Sequence, residues 1–464
     1  MIVGYGLGSL GQGASYYFIS SYFVVFLTNC VGFNAVLAGT ISSVAMVVEV
    51  MAGMAVGNFS DRCRSNMGRR RPFMLVSSIV TLPVSVLLFT YVDLPSGLRV
   101  GYYIIFAVVF RIAFSSYEIP YNALGAEVVT DYDDRTRLRS IARAFSIVGN
   151  AIGYIMPLVI LEIFSGNEKT AWQIMGIIIG VSCSAVWLIS VFTTGQNVYV
   201  LKEKTEKRNI VKDIFCNYRE LLRLRTMKLA VIYKIAFTCA FSLYSVGTIY
   251  FLQYNLGLDN RYSSYIYIFT IIIFIVATPL TDKMAIARSK SWQQMVVMAL
   301  CAVAGIFIYL FASDSVIWCA VFIGLFALVQ TGFWQLSSSI FYDIVEVDEY
   351  VNHKRREGDI MSAVSVLGTL ITAVMVQIFG LFFDMSGFDP DLAVQPESVI
   401  NFLDAAYILF PCICMLIGAV ALKIFPINKK TFASLQAALM LRSEGKDYGV
   451  YLSDIEKIVG RKAG

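Results

Sequence analysis

Hydrophobic residues in this chain come in long runs. Twelve apolar stretches can be marked, at 5–29, 33–58, 73–92, 99–123, 140–164, 170–193, 227–254, 262–282, 292–312, 315–340, 359–384 and 400–425. Most hold the roughly 20 residues that carry an α-helix across a bilayer. The pattern predicts an all-α membrane protein of twelve transmembrane helices. The polar stretches between the runs supply the orientation. Gly57-Asn58-Phe59-Ser60-Asp61-Arg62-Cys63-Arg64-Ser65-Asn66-Met67-Gly68-Arg69-Arg70-Arg71-Pro72 packs five arginines and one aspartate between two runs. Such charge belongs in water or at the headgroups. Taking that hairpin as cytoplasmic puts 32 of the 37 Lys and Arg residues on the same face. The opposite face keeps only Arg99, Lys169 and Arg261, while Arg111 and Lys234 fall inside spans. The excess of Lys and Arg on cytoplasmic loops then places both termini in the cytoplasm of a multi-pass protein of the cell membrane.

Composition agrees. Of 464 residues 58% are hydrophobic and 15% charged, and the mean hydropathy is +0.69. A soluble domain of this size would need more polar surface. Met1 leads straight into Gly4-Tyr5-Gly6-Leu7-Gly8, without a basic n-region or a cleavage site, so the first helix is expected to be retained. The net charge of +5 follows the topology and implies no nucleic-acid partner. The nine cysteines are scattered, mostly within apolar runs, at spacings that suit no metal and read as small core residues.

The polar, basic segment 195–226 separates two sets of six spans, giving an N-terminal bundle over 1–194, a C-terminal bundle over 227–425 and a cytoplasmic tail over 426–464. A weak internal repeat relates the two. Ser60-Asp61-Arg62 returns as Thr281-Asp282-Lys283, and Glu127…Asp131…Arg135-Thr136-Arg137 returns as Asp343…Asp348-Glu349…Lys354-Arg355-Arg356. Parallel six-helix repeats with charged cytoplasmic hairpins describe the major facilitator architecture, whose site lies between the halves near mid-membrane. Thr431–Leu441 reads equally as an amphipathic surface helix or as solvated tail.

Three motifs carry a family resemblance. Ser60-Asp61-Arg62-x-Arg64-Ser65-x-x-Gly68-Arg69-Arg70-Arg71-Pro72-Phe73, Pro120-Tyr121-x-Ala123-Leu124-Gly125-Ala126-Glu127…Asp131-Tyr132-Asp133-Asp134-Arg135-Thr136-Arg137, and Asp343…Asp348-Glu349…Lys354-Arg355-Arg356-Glu357-Gly358 occur in order across nearly the whole chain. Together they resemble the glycoside–pentoside–hexuronide:cation symporters, the melibiose permease family. The first motif is also similar to proton-coupled sucrose transporters, which fit the second less well. The resemblance implies a secondary transporter that moves a sugar-like solute by alternating access, with Na+ or H+ as coupling ion and no other cofactor. A monomer is expected.

Ionisable groups inside spans are costly enough that each needs a reason. The resemblance makes Glu49 a cation-coupling carboxylate. Arg111, Ser115, Glu118 and Asn122 lie at i, i+4, i+7 and i+11, one stripe of a helix that cannot face lipid. Within it the resemblance makes Glu118 an acceptor for sugar hydroxyls, with Arg143 as its basic partner. Arg111 has no family counterpart: pairing with Glu118, recognition of an anionic substrate and a purely structural ion pair all stay open. Trp334 matches an aromatic of the sugar site, though simple packing is an alternative, and Ser365 stands where a site threonine would lie. Gln12 is expected to line the same cavity. Lys234 reads as snorkelling to the cytoplasmic surface. Gly53 and Gly57 form a small-residue packing face. Asp61, Arg62, Arg69, Glu127, Asp282 and Asp343 are expected to form a cytoplasmic gate.

Departures from the family pattern are informative. Its basic–acidic pair in the first span falls on Gln12-Gly13, its second cation carboxylate on Gly53, its span-eleven lysine on Thr369 and a stacking tryptophan on Asn122. A sodium ion wants several oxygen ligands, some of them charged, and only Glu49 is left. Proton coupling through Glu49 or Glu118, or uncoupled facilitated diffusion, fits the residues as well as sodium coupling does. An uronate would suit Arg143 and Arg111, and a lipid-like or other organic anion is an alternative cargo. Enzyme activity is not expected, because no nucleophile–base pair or metal cluster stands out. A transporter-derived sensor would be expected to carry a sizeable soluble domain.

Overall fold

The computed structural model describes residues 2–63, 65–128, 132–194, 220–353, 357–390, 392, 394–444 and 446–459. Its helices are α1 (Ile2–Val25), α2 (Ala35–Arg62), α3 (Arg71–Leu88), α4 (Ser96–Val128), α5 (Tyr132–Ile163) and α6 (Glu168–Thr193). After the central segment come α7 (Arg225–Tyr250), α8 (Asn260–Ala287), α9 (Lys290–Phe311), α10 (Val316–Asn352), α11 (Glu357–Met385) and α12 (Glu397–Ile424, interrupted by a π-turn at Ala405–Leu409). Eleven of these are long and apolar enough to cross a membrane. The first, α1, is 24 residues long and uncharged, but glycine, serine and tyrosine dilute its hydropathy. The all-α, twelve-span expectation holds.

Most helix ends fall within a few residues of the apolar runs. The largest difference is α10, which continues past 340 to Asn352. Two of its acids there find partners inside the protein: Asp343 pairs with Lys290 at 2.8 Å, and buried Asp348 accepts from Asn352 Nδ2 at 2.7 Å. A hydropathy edge therefore stops short of the hydrogen-bonded edge. Side-chain caps set several starts, with Asn34 accepting from Leu37 N and Ser289 from Trp292 N. In the arginine hairpin, Arg70 donates to Ser60 Oγ at 2.7 Å, and Arg71 Nε donates to the Val191 carbonyl in the last turn of α6. That carbonyl lies in the last turn, and a cation suits the negative end of the helix.

The internal repeat extends to a feature that hydropathy does not register. Phe26–Cys30 at the end of α1 and Phe251–Asn255 at the end of α7 are both single π-turns, 225 positions apart when residues 26 and 251 are compared. Each is closed the same way, by Val31 N to Phe26 O and by Leu256 N to Phe251 O. Each is followed by a glycine in the left-handed region, Gly32 at φ 77° and Gly257 at φ 60°, which residues with a Cβ adopt only at a cost. A further bond follows in both, from Phe33 N to Leu27 O and from Leu258 N to Leu252 O.

The chain forms two compact units. The first holds Met1–Lys202, Ser245–Ile271 and Ala373–Leu403; the second holds Glu203–Tyr244, Ile272–Thr372 and Asp404–Gly464. In the first unit, α1 crosses α5 at Gly149 and Gly153, where a Cβ would meet the backbone of Leu10 and Ala14. This is the small-xxx-small device for close helix approach in membranes. The same unit takes in one end of α7, α8 and α11: Thr28 Oγ1 and Tyr250 OH lie 2.8 Å apart, Ser43 donates to the Ala373 carbonyl, and Tyr154 stacks on Tyr267.

In the second unit the tail packs against protein, which corrects the reading of Thr431–Leu441 as a membrane-surface helix or solvated tail. A helix α13 (Lys429–Ser443) starts at a capping box of Asn428 and Thr431 and buries Leu435 and Ala438. A short α14 (Leu452–Val459) buries Ile455 and Ile458. Ser434 donates to Asp454, and Arg442 donates to the Tyr350 carbonyl at the end of α10.

Candidate functional site

Two helices of the first unit, α2 and α4, bring charge into an apolar interior. Arg111 of α4 donates from Nη1 to Glu49 Oε2 of α2 at 3.0 Å, and both side chains are largely buried, at 8% and 14% exposure. Glu118, two turns further along α4, lies within electrostatic range of Glu49 and Arg111, and so does Tyr16 of α1. Among the described residues Glu118 has no ion-pair partner. The cluster therefore holds two carboxylates against one guanidinium. Arg111 Nη2 is a buried donor without an acceptor, so hydrogen-bonding capacity is left over at the pair, and Gln12 Nε2 on α1 is a second such donor.

Arg111 thus pairs with Glu49. The stripe places Arg111 and Glu118 on the same face, but seven residues span about 10 Å of helix rise, too far for a direct ion pair. Asn122, Arg143 and Ser365 are exposed; Ser365 uses its carbonyl to accept from Thr369 Oγ1.

Two glycines stand where the family pattern has acids, and both sit in tight packing. A Cβ on Gly13 would run into Asn150 Oδ1 and come within 2.7 Å of the Ser146 carbonyl. Backbone cannot move aside as a side-chain tip can, so α5 leaves no room for an acid there. At Gly53 a Cβ would lie 2.8 Å from Ser115 Oγ and 2.7 Å from Ile119 Cδ1. Both are side-chain ends on α4, and the Gly53 face is packed as its spacing suggests.

Aromatic rings surround a second feature, in the other unit. Trp334 of α10 is 39% exposed and meets Phe237 and Phe241 of α7 edge-on. Phe237 stacks on Phe333 at 3.5 Å between centroids. Lys234 of α7 turns its ammonium over these rings, 4.7 Å from the Phe333 centroid and 5.9 Å from that of Trp334. It does not snorkel along its own helix, as the sequence suggests. Its stem passes Gly368 of α11, where a Cβ would lie 3.3 Å from Lys234 Cε. The direction a lysine takes from its helix leaves no trace in hydropathy.

The expected gate is described only in part. Asp282 accepts from Gln335 Nε2 at 2.6 Å, Asp343 is held by Lys290, and Arg69 is partly buried. The side chains of Asp61, Arg62 and Glu127 lie outside the described residues.

Twelve long helices among the described residues, a two-fold internal repeat and a charged cluster among helices define a membrane transporter of the major facilitator fold. The inward-open xylose transporter XylE of E. coli superimposes with a TM-score of 0.68 at 13% identity, covering 94% of this chain and 98% of that one. Residues 4–429 match the family described as MFS/sugar transport protein, and the chain belongs to that family of glycoside–pentoside–hexuronide symporters. Its relatives include the inner membrane symporter YicJ of Escherichia coli, 25% identical over 91% of this chain and 90% of that protein. Another is a glucuronide carrier protein homolog of Escherichia coli, 23% identical over 94% of each.

Proposed function

We propose that this protein carries a sugar-like solute across the cell membrane by alternating access, in symport with a proton, with both termini cytoplasmic. The observation that carries the coupling is the Arg111–Glu49 pair. A sodium site needs several oxygens with uncompensated negative charge, and here one Glu49 oxygen is already engaged by a guanidinium. Gly13 has no room to restore a missing acid, and Gly53 is packed against side-chain ends of α4. Glu118 is left as a carboxylate without an ion-pair partner among the described residues, suited to take up a proton or to accept from sugar hydroxyls. Gln12, Asn122, Arg143, Trp334 and Ser365 are assigned to the solute, and residues 1–194 and 227–425 to two six-helix repeats. Asp61, Arg62, Arg69, Glu127, Asp282 and Asp343 are assigned to a cytoplasmic gate, whose charges pair in one state and separate in the other.

The test is counterflow in liposomes with purified protein, over a panel of neutral glycosides, pentosides and hexuronates, with sodium and pH gradients imposed separately. Exchange of a panel member, accelerated by an inward proton gradient and indifferent to sodium, is expected. Acceleration by sodium alone would contradict the coupling, and failure of every panel member would contradict the cargo class.

A further inference from the structure

We infer that Lys234 is the residue that recognises an anionic group on the solute, so that the cargo is a sugar acid. The inference rests on the sugar-transport reading above and adds a charge to it. Lys234 is a lysine that the second unit places inside its helices. Among the described residues no carboxylate forms an ion pair with it, and no charged group lies near enough to influence it. Its immediate surroundings are the faces of Phe333 and Trp334 and the bare backbone of Gly368. An aromatic face attracts a cation through its quadrupole but neutralises no charge. A cation inside a membrane protein is stabilised when an anion meets it, and a carboxylate on the solute would meet it here.

The neighbourhood suits a sugar acid. Trp334 is exposed enough to offer its ring to the apolar face of a pyranose, and the ammonium beside it can donate to a carboxylate on the same ring. Arg111, in the first unit, is already paired with Glu49 and so is not free to read an anion. Gly368 keeps the approach open: a Cβ would crowd the lysine stem at 3.3 Å.

The test compares D-glucuronate with its neutral amide, D-glucuronamide, as competitors in counterflow on wild-type protein and on K234Q and K234R. Wild type is expected to prefer glucuronate over glucuronamide by at least about tenfold, the worth of a charge-assisted bond away from bulk water. K234Q is expected to lose that preference while still exchanging the amide, and K234R to keep part of it. Should K234Q not fold, the wild-type ratio of acid to amide still decides. Equal competition by acid and amide in wild type, or an undiminished preference in folded K234Q, overturns the inference and leaves sugar transport standing. Exchange of neither compound nor of any other panel sugar overturns both.

Discussion

Arg111 and Glu49 meet 3.0 Å apart, from two helices that cross at Gly53, with both side chains largely withdrawn from solvent. Charges this buried are held because they are paired. Removing one partner leaves the other buried alone, at a cost of about 3–5 kcal/mol, whereas removing both is far milder. Glu49→Gln and Arg111→Met are each expected to lower stability by that order. The double variant should recover at least about 1 kcal/mol of the summed loss. Unfolding in detergent of the four proteins checks this. Strictly additive losses would show that the pair contributes no coupling.

Gly13 faces backbone, and Gly53 faces side-chain tips. Gly13→Ala is expected to cost about 1–3 kcal/mol through overpacking against Ser146 and Asn150, while Gly53→Ala costs less because Ile119 and Ser115 can rotate. Gly13→Asp should lower the folded yield further and should not create a response to sodium. Sodium-dependent stabilisation of folded Gly13→Asp would contradict the packing account.

Thr28 and Tyr250 join the two π-turn regions through a hydrogen bond of 2.8 Å. Tyr250→Phe removes the bond without changing the ring, and an exchange of about 0.5–1.5 kcal/mol is expected. Amide hydrogen exchange of residues 26–33 and 251–258 should speed up severalfold in the variant. Unchanged exchange would show that ring packing alone holds these ends together.

The tail is expected to respond to acid. Asp454 accepts hydrogen bonds from Lys457 and Ser434, which hold its carboxyl below the usual carboxylate range. A group depressed in the folded state stabilises above its unfolded pKa, about 3.9 for aspartate, and that stabilisation is lost as pH falls through the lower folded value. Asp454→Asn should loosen the packing of α14 on α13 at neutral pH and remove its acid sensitivity below about pH 4. Limited proteolysis of the tail across pH reads both effects.

Much of the architecture was legible in the sequence because run length and the placement of Lys and Arg follow directly from the bilayer. The three loop motifs fixed the family for the same reason: they are local in sequence. What escaped was set by three-dimensional contact. The paired π-turns at Phe26 and Phe251 are shifts of hydrogen-bond register, and hydropathy does not sense register. Glu49 as the partner of Arg111 depends on how α2 crosses α4, which one-helix periodicity does not contain. The aim of Lys234 depends on the rings of a distant helix. The absence of acids at positions 13 and 53 was visible, but its cause, the closeness of α5 and α4, was not.

Glu118 is where the account is most exposed. Counterflow of the best panel substrate by Glu118→Gln, at matched protein and across external pH, tests it most directly. The account predicts that exchange falls at least about tenfold, as expected for a lost charged acceptor, and that the remaining transport no longer responds to a proton gradient. Exchange at the wild-type rate with the pH response intact would contradict it.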